Sequence, residues 1–146
     1  MVGRLPSVNP LLAPVAALAV WTHIILLWMY ATRLPAVRRA GIVPDPTAPR
    51  GAQMAALPAR TRWKSDNYTH LLEHPTVFYA ASLALAVQGV DASWVVILAW
   101  AYVVFRIVHS LVQTTVNRIP VRFVFFAMSA LCGLSLSLAA LHATLA

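Results

Sequence analysis

Charge is scarce in this chain, and acidic charge most of all. Asp, Glu, Lys and Arg make up 10% of its 146 residues, and only four of them are acidic. Hydrophobic residues make up 60% and the mean hydropathy is +0.74, so there is too little polar surface to cover a water-soluble domain. Cysteine is nearly absent too. Cys132 stands alone, which excludes an intramolecular disulfide and reads as a small apolar filler in a helix. No internal repeat is present. A net charge of +7 and a pI near 10.8 would suit a nucleic-acid partner only if the basic residues formed a stripe on a soluble fold. They cluster instead in loops between apolar segments, so no nucleic-acid partner is expected and membrane topology accounts for the charge.

What the chain has is long apolar runs. A helix crossing a hydrocarbon core of about 30 Å needs roughly 20 residues, and four segments qualify. Leu11 to Tyr30 carries no charge. Its apolar run is longer than that of a signal peptide and leads into Arg33 instead of a small-residue cleavage site, so it reads as a retained span. Thr76 to Val90 reaches spanning length if its helix begins near Ser65 or Asp66 and includes His70, Glu73 and His74. A third run starts at about Ala92, with Asp91 or Ser93 as N-cap, and passes through Arg106 to Val116. The fourth opens at Pro120, a favoured first helical position, and is uncharged from Phe123 onward. The expected architecture is an all-α integral membrane four-helix bundle forming one domain over 1–146. Its helices fall at about 10–34, 66–90, 92–116 and 120–145, with a loop at about 35–65.

The basic residues set the orientation. Arg33, Arg38, Arg39, Arg50, Arg60, Arg62 and Lys64 belong to the first connection, Arg118 and Arg122 to the third, and the opposite side has only Arg4. The positive-inside bias predicts a multi-pass protein of the cell inner membrane, with both basic loops cytoplasmic and both termini on the non-cytoplasmic side. Pro44, Pro46, Pro49 and Pro58 break the first loop into a connector lying near anionic headgroups of the membrane lipids. Ser129, Ser135, Ser137 and Gly133 give the last helix small residues for close packing.

Polar residues inside the spans carry the functional signal. A guanidinium at bilayer depth costs about 2.5–3.5 kcal/mol on insertion scales, so Arg106 is expected to face a partner or a polar cavity, with Glu73 as its counter-ion. Spacings of three and four put Asn67, His70 and Glu73 or His74 on one face of the second helix. They put Arg106, His109 or Ser110, Gln113 and Asn117 on one face of the third. Arg122 opens the fourth helix in the same cytoplasmic layer. Pro75 is expected to kink the second helix and open space beside Glu73. The outer half holds little beyond His23, Gln88 and His142. A cytoplasm-facing cavity bearing Arg106, Arg118 and Arg122 against Glu73 should favour an anion.

The run Asn67-x-x-His70-x-x-Glu73-x-Pro75, then Arg106-x-x-His109 and Arg118-x-Pro120-x-Arg122, resembles the MAPEG family, membrane-associated proteins in eicosanoid and glutathione metabolism, and its bacterial members in particular. The resemblance implies four-helix subunits in a homotrimer, with glutathione as co-substrate bound in the cytoplasmic layer between neighbouring subunits. It also implies a transferase or peroxidase acting on an apolar electrophile or lipid hydroperoxide drawn from the bilayer. Arg122 would be the catalytic residue, stabilising the thiolate. Arg106 and Arg118 would hold the tripeptide's carboxylates and Glu73 its ammonium group, or Glu73 would orient Arg106, while Asn67, His70, His109 and Gln113 would supply polar contacts. Four positions depart from the family pattern. His70 stands for an asparagine, Asp66 for an arginine, Gln113 for a tyrosine and Phe123 for a hydroxyl residue.

Other readings of the same residues stay open. Glu73 and Arg106 could serve only as a structural pair. Arg118 and Arg122 could be positive-inside anchors, Asn67 a capping or turn residue, and His23 and His142 packing residues. The whole chain could be a catalytically silent lipid-binding or scaffold protein, or a small ion pathway. His74 and His109 both fall roughly 12 Å from the cytoplasmic helix ends at 1.5 Å per residue, a spacing that would suit a bis-histidine haem carrier. No other metal site is expected.

Overall fold

The computed structural model describes residues 8–49 and 51–146. Arg4 and Arg50, counted above in the charge bias, lie outside the described residues. The chain is an all-α membrane protein whose described residues form five α-helical segments: α1 Leu12–Arg39, α2 Ala59–Glu73, α3 Pro75–Val87, α4 Ser93–Thr115 and α5 Ile119–Leu145. α1, α4 and α5 are each long and apolar enough to cross a membrane. α3 alone, at 13 residues, reaches about 20 Å at 1.5 Å per residue, short of the hydrocarbon thickness. Only together with the C-terminal half of α2, which carries His70 and Glu73, does the α2–α3 rod reach spanning length.

Helix boundaries follow local chemistry. α1 runs past its expected end, through Pro35 to Arg39. A proline there removes one backbone hydrogen bond, a loss that membrane helices tolerate. The helix stops at Gly41, which takes φ 61° while the Ile42 amide donates back to the Val37 carbonyl at 3.3 Å. Among the described residues the segment up to Pro58 has one 3-10 turn, over Gln53–Ala56, and Gln53 clamps it by donating to the Val43 carbonyl and accepting from the Asp45 amide.

α2 starts directly after Pro58 and well before the expected start, so Arg60, Arg62 and Lys64 stand on the helix and not in the loop. Lys64 is turned inward. Its ammonium donates to the Arg60 carbonyl at 2.8 Å and lies 5.3 Å from the Trp28 ring centre, tying α2 to α1. His74 joins α2 to α3 with helical dihedrals (φ −67°, ψ −39°), so the two form one rod whose ladder lapses only where Pro75 lacks an N–H.

α4 is the most buried helix and packs chiefly on α5, with further contacts to α1 and α2. Leu18, Ile25, Phe78, Leu85, Val95, Ala99, Tyr102 and Leu136 form the core. Gly133 permits the close α4–α5 approach, since a Cβ there would stand 3.2 Å from the Tyr102 ring. Cys132 is buried beside it, as a small filler should be. Val20, Leu27, Ile97, Leu131 and Leu138 face outward, as lipid-facing residues do. Hydrogen bonds fix which connections share an end. Asn67 meets Gln113 at 2.9 Å near the α1–α2 and α4–α5 connections. At the other end Gln88 meets Thr144 at 2.6 Å and Asn9 donates to the Val90 carbonyl at 3.1 Å.

Candidate functional site

The site is assembled where α2, α4 and the start of α5 meet, at the end bearing the two basic connections. On α4, Arg106, His109, Ser110, Gln113 and Thr114 are all buried, the arginine completely. His109 is the hub. Its Nδ1 lies 2.7 Å from the Arg122 carbonyl, which can only accept, so Nδ1 carries a proton. Its Nε2 lies 3.1 Å from Gln113 Oε1, and Asn67 Nδ2 reaches that same oxygen at 2.9 Å. Turning both amides end for end lets a neutral ring accept at Nε2 and gives a partner to Asn67 Oδ1, which otherwise has none. Either way, one chain of polar contacts runs from α2 through α4 into the backbone of α5.

Arg122 is positioned by the turn before it. Asn117 ends α4 with φ 50°, a left-handed conformation that asparagine adopts more readily than most residues. Its Oδ1 then accepts from Arg122 Nη1 at 2.7 Å. The guanidinium lines a cavity of about 460 Å³ together with Asp66, Thr69, His70, Glu73, His109, Gln113, Ile119, Phe123 and Phe126. That volume lies within the range of small-molecule sites.

Several expectations need correction. Arg106 and Glu73 do not pair: Glu73 is exposed and faces the cavity, while Arg106 is fully buried and donates to the His70 carbonyl at 3.0 Å, with Nε and Nη1 lacking partners. A backbone carbonyl has a second lone pair, and this one stands nearer to Arg106 than the carboxylate a turn further on. Arg118 does not join the cavity either. It caps α5 in an extended conformation and its side chain is exposed. The three guanidiniums therefore do not converge, and one arginine, Arg122, faces two carboxylates, Asp66 and Glu73. Asn67 sits behind Gln113, buried and outside the lining.

Both histidines of the haem alternative are held by neighbouring groups of the bundle. Both ring nitrogens of His109 are engaged, His74 Nδ1 is 3.1 Å from the Tyr102 hydroxyl, and the Phe126 ring packs against both histidines.

Asp66, Thr69, Ile119, Phe123 and Phe126 also line the cavity, and the sequence gives none of them a site role. The first two sit one turn apart on the stripe of α2 that ends at Glu73, a signal that was legible. Asp66 and Thr69 also line a neighbouring crevice of about 580 Å³, with Arg33 and Arg62, where Arg33 donates to the Ser65 hydroxyl at 3.3 Å. Neither a curated protein nor a solved structure matches the chain. A sequence profile described as the MAPEG family matches residues 11–142, which take in α1 to α4, all but the last three residues of α5 and every residue of the cavity, and the chain belongs to that family.

Proposed function

We propose that the protein is a glutathione-dependent transferase or peroxidase working at the cytoplasmic face of the inner membrane as a homotrimer. The observation that carries this reading is Arg122, held by Asn117 and lining a cavity whose other lining residues include Asp66 and Glu73. Glutathione is a zwitterion with an ammonium group, two carboxylates and a thiol. The carboxylates of Asp66 and Glu73 suit the ammonium group, and Arg33 and Arg62 in the adjoining crevice suit the tripeptide's own carboxylates.

A free thiol has a pKa of about 8.5, and a nearby guanidinium lowers it, raising the thiolate fraction at neutral pH. The thiolate then forms an S–C bond with an electrophilic carbon, either expelling a leaving group as its anion or opening a C=C bond whose carbanion takes a proton from water. With a hydroperoxide it takes the terminal hydroxyl as the O–O bond breaks, giving a sulfenic acid and an alkoxide that takes a proton from water to become an alcohol. A second glutathione reduces the sulfenic acid to disulfide and water. Family membership and the apolar outer surface support a co-substrate that partitions into membrane lipids.

The test is the ultraviolet absorbance of bound thiolate when glutathione is added to the purified chain. Arg122→Ala should abolish the signal and Arg122→Lys should retain part of it, with helical circular dichroism unchanged in both. No thiolate signal from the unaltered chain would sink the proposal. The presence of two carboxylates against one guanidinium favours a second reading, a lipid-binding or scaffold protein of the same fold that holds a zwitterionic headgroup without activating a thiol.

A further inference from the structure

A third cavity, of about 200 Å³, lies deeper in the bundle between α3, α4 and α5. Val77 and Leu134, both more than half exposed on outward-facing sides of their helices, stand at its rim, so it opens sideways toward lipid. His74, Tyr102 and Ser137 form its polar part, with the histidine Nδ1 3.1 Å from the phenol oxygen and the serine hydroxyl donating to the Gly133 carbonyl at 2.8 Å. A phenol donates readily to an imidazole nitrogen, which leaves the proton of a neutral ring on Nε2. That N–H makes no hydrogen bond among the described residues, so the cavity offers one free donor in largely apolar surroundings.

Phe126 touches the linings of both cavities. It lines the Arg122 cavity, 5.4 Å from the His70 ring and 6.1 Å from the His109 ring, and it meets His74 of the deeper cavity edge-on at 4.8 Å. We propose that the two cavities are the halves of one cleft and that Phe126 is its partition. The deeper half takes a segment of an aliphatic chain entering from the bilayer, with its carbonyl or hydroperoxide oxygen accepting from His74. Phe126 sets how far that chain reaches toward Arg122. The volume is below the usual range for a whole ligand, so it fits part of a chain and not a complete lipid. Naming the chain as that of the co-substrate rests on the glutathione reading; the chain-binding site itself does not.

The experiment uses the chain in lipid nanodiscs without glutathione. A fluorescent polyene fatty acid is bound and then displaced by straight-chain 2-alkenals and by alkanes of matching length. Alkenals should displace it more strongly than alkanes, and His74→Leu should erase that preference. Ser137→Leu, which fills the cavity, should weaken probe binding at least tenfold. Gly133→Ala, whose new methyl meets the Tyr102 ring, should act in the same direction. Phe126→Ala should shift the preferred alkenal to a longer chain by joining the two cavities. Equal probe binding by the unaltered chain and by Ser137→Leu would overturn the inference, as would an unchanged length preference in Phe126→Ala. A photo-crosslinker at Leu134 should capture the fatty acid, and capture of a second copy of the chain instead would also overturn it. Loss of the thiolate signal with probe binding intact would count against the glutathione reading alone.

Discussion

The two ends of this bundle bury different chemistry with the same helices. Toward the basic connections the interior holds Lys64, Asn67, Arg106, His109, Gln113 and Thr114; toward the chain ends it holds Leu18, Leu85, Val95, Ala99, Leu136 and Ala140. The boundary is the Phe78–Tyr102 stack, with ring centres 4.2 Å apart and planes 3° from parallel. At the apolar end polar ties lie at the rim, through Asn9 and Gln88, and packing alone joins the interior. At the polar end directed hydrogen bonds cross from helix to helix and hold side chains at fixed positions around a cavity. Lipid is as apolar as leucine, so burial by itself orients membrane helices weakly. The difference teaches that polar groups are buried where orientation matters to the site.

Substitutions at three positions would break or sharpen that contrast. His109→Ala removes the contacts to both Gln113 and the Arg122 backbone and leaves a void. It should destabilise the chain by about 3 kcal/mol in denaturant titration from mixed micelles and disturb ligand binding at the cavity. Leu136→Ala, in the apolar half, should cost about 2 kcal/mol from the cavity it creates, yet leave the thiolate signal of bound glutathione intact. Equal damage to binding by both changes would erase the distinction between the ends.

The smallest and most discriminating pair is at Asn117. Glycine keeps the left-handed backbone and loses only the contact to Arg122, so stability should hold while thiolate absorbance falls. Alanine loses both and should cost a further 1 kcal/mol or so, read as a lower melting temperature.

Much of this arrangement was legible in the residue order, and its failures have physical causes. Apolar runs located α1, α4 and α5 because spanning length is fixed by bilayer thickness. The start of α2 was missed because its first turns are polar, and hydropathy is silent on helix outside the membrane. The end of α1 was missed because a proline that breaks helices in water is tolerated at the membrane boundary. Spacing put His70 and Glu73 on one face of α2 and His109 and Gln113 on one face of α4, and all four line one cavity with Arg122. It could not give the direction of a side chain on its face, so Arg106 was assigned a carboxylate when it points at a carbonyl. Arg118 was drawn inward by its charge, although its place as an N-cap turns it out.

The connection between α4 and α5 spans only Val116, Asn117 and Arg118. With so little slack, the rotational setting of the last helix is dictated by its predecessor, and no later residue can compensate for a change there. One amino acid inserted at this corner would turn α5 by about 100°, swinging Arg122 off its wall while every helix remained intact. Natural length variation in this family member should therefore gather in the long first connection and spare this corner.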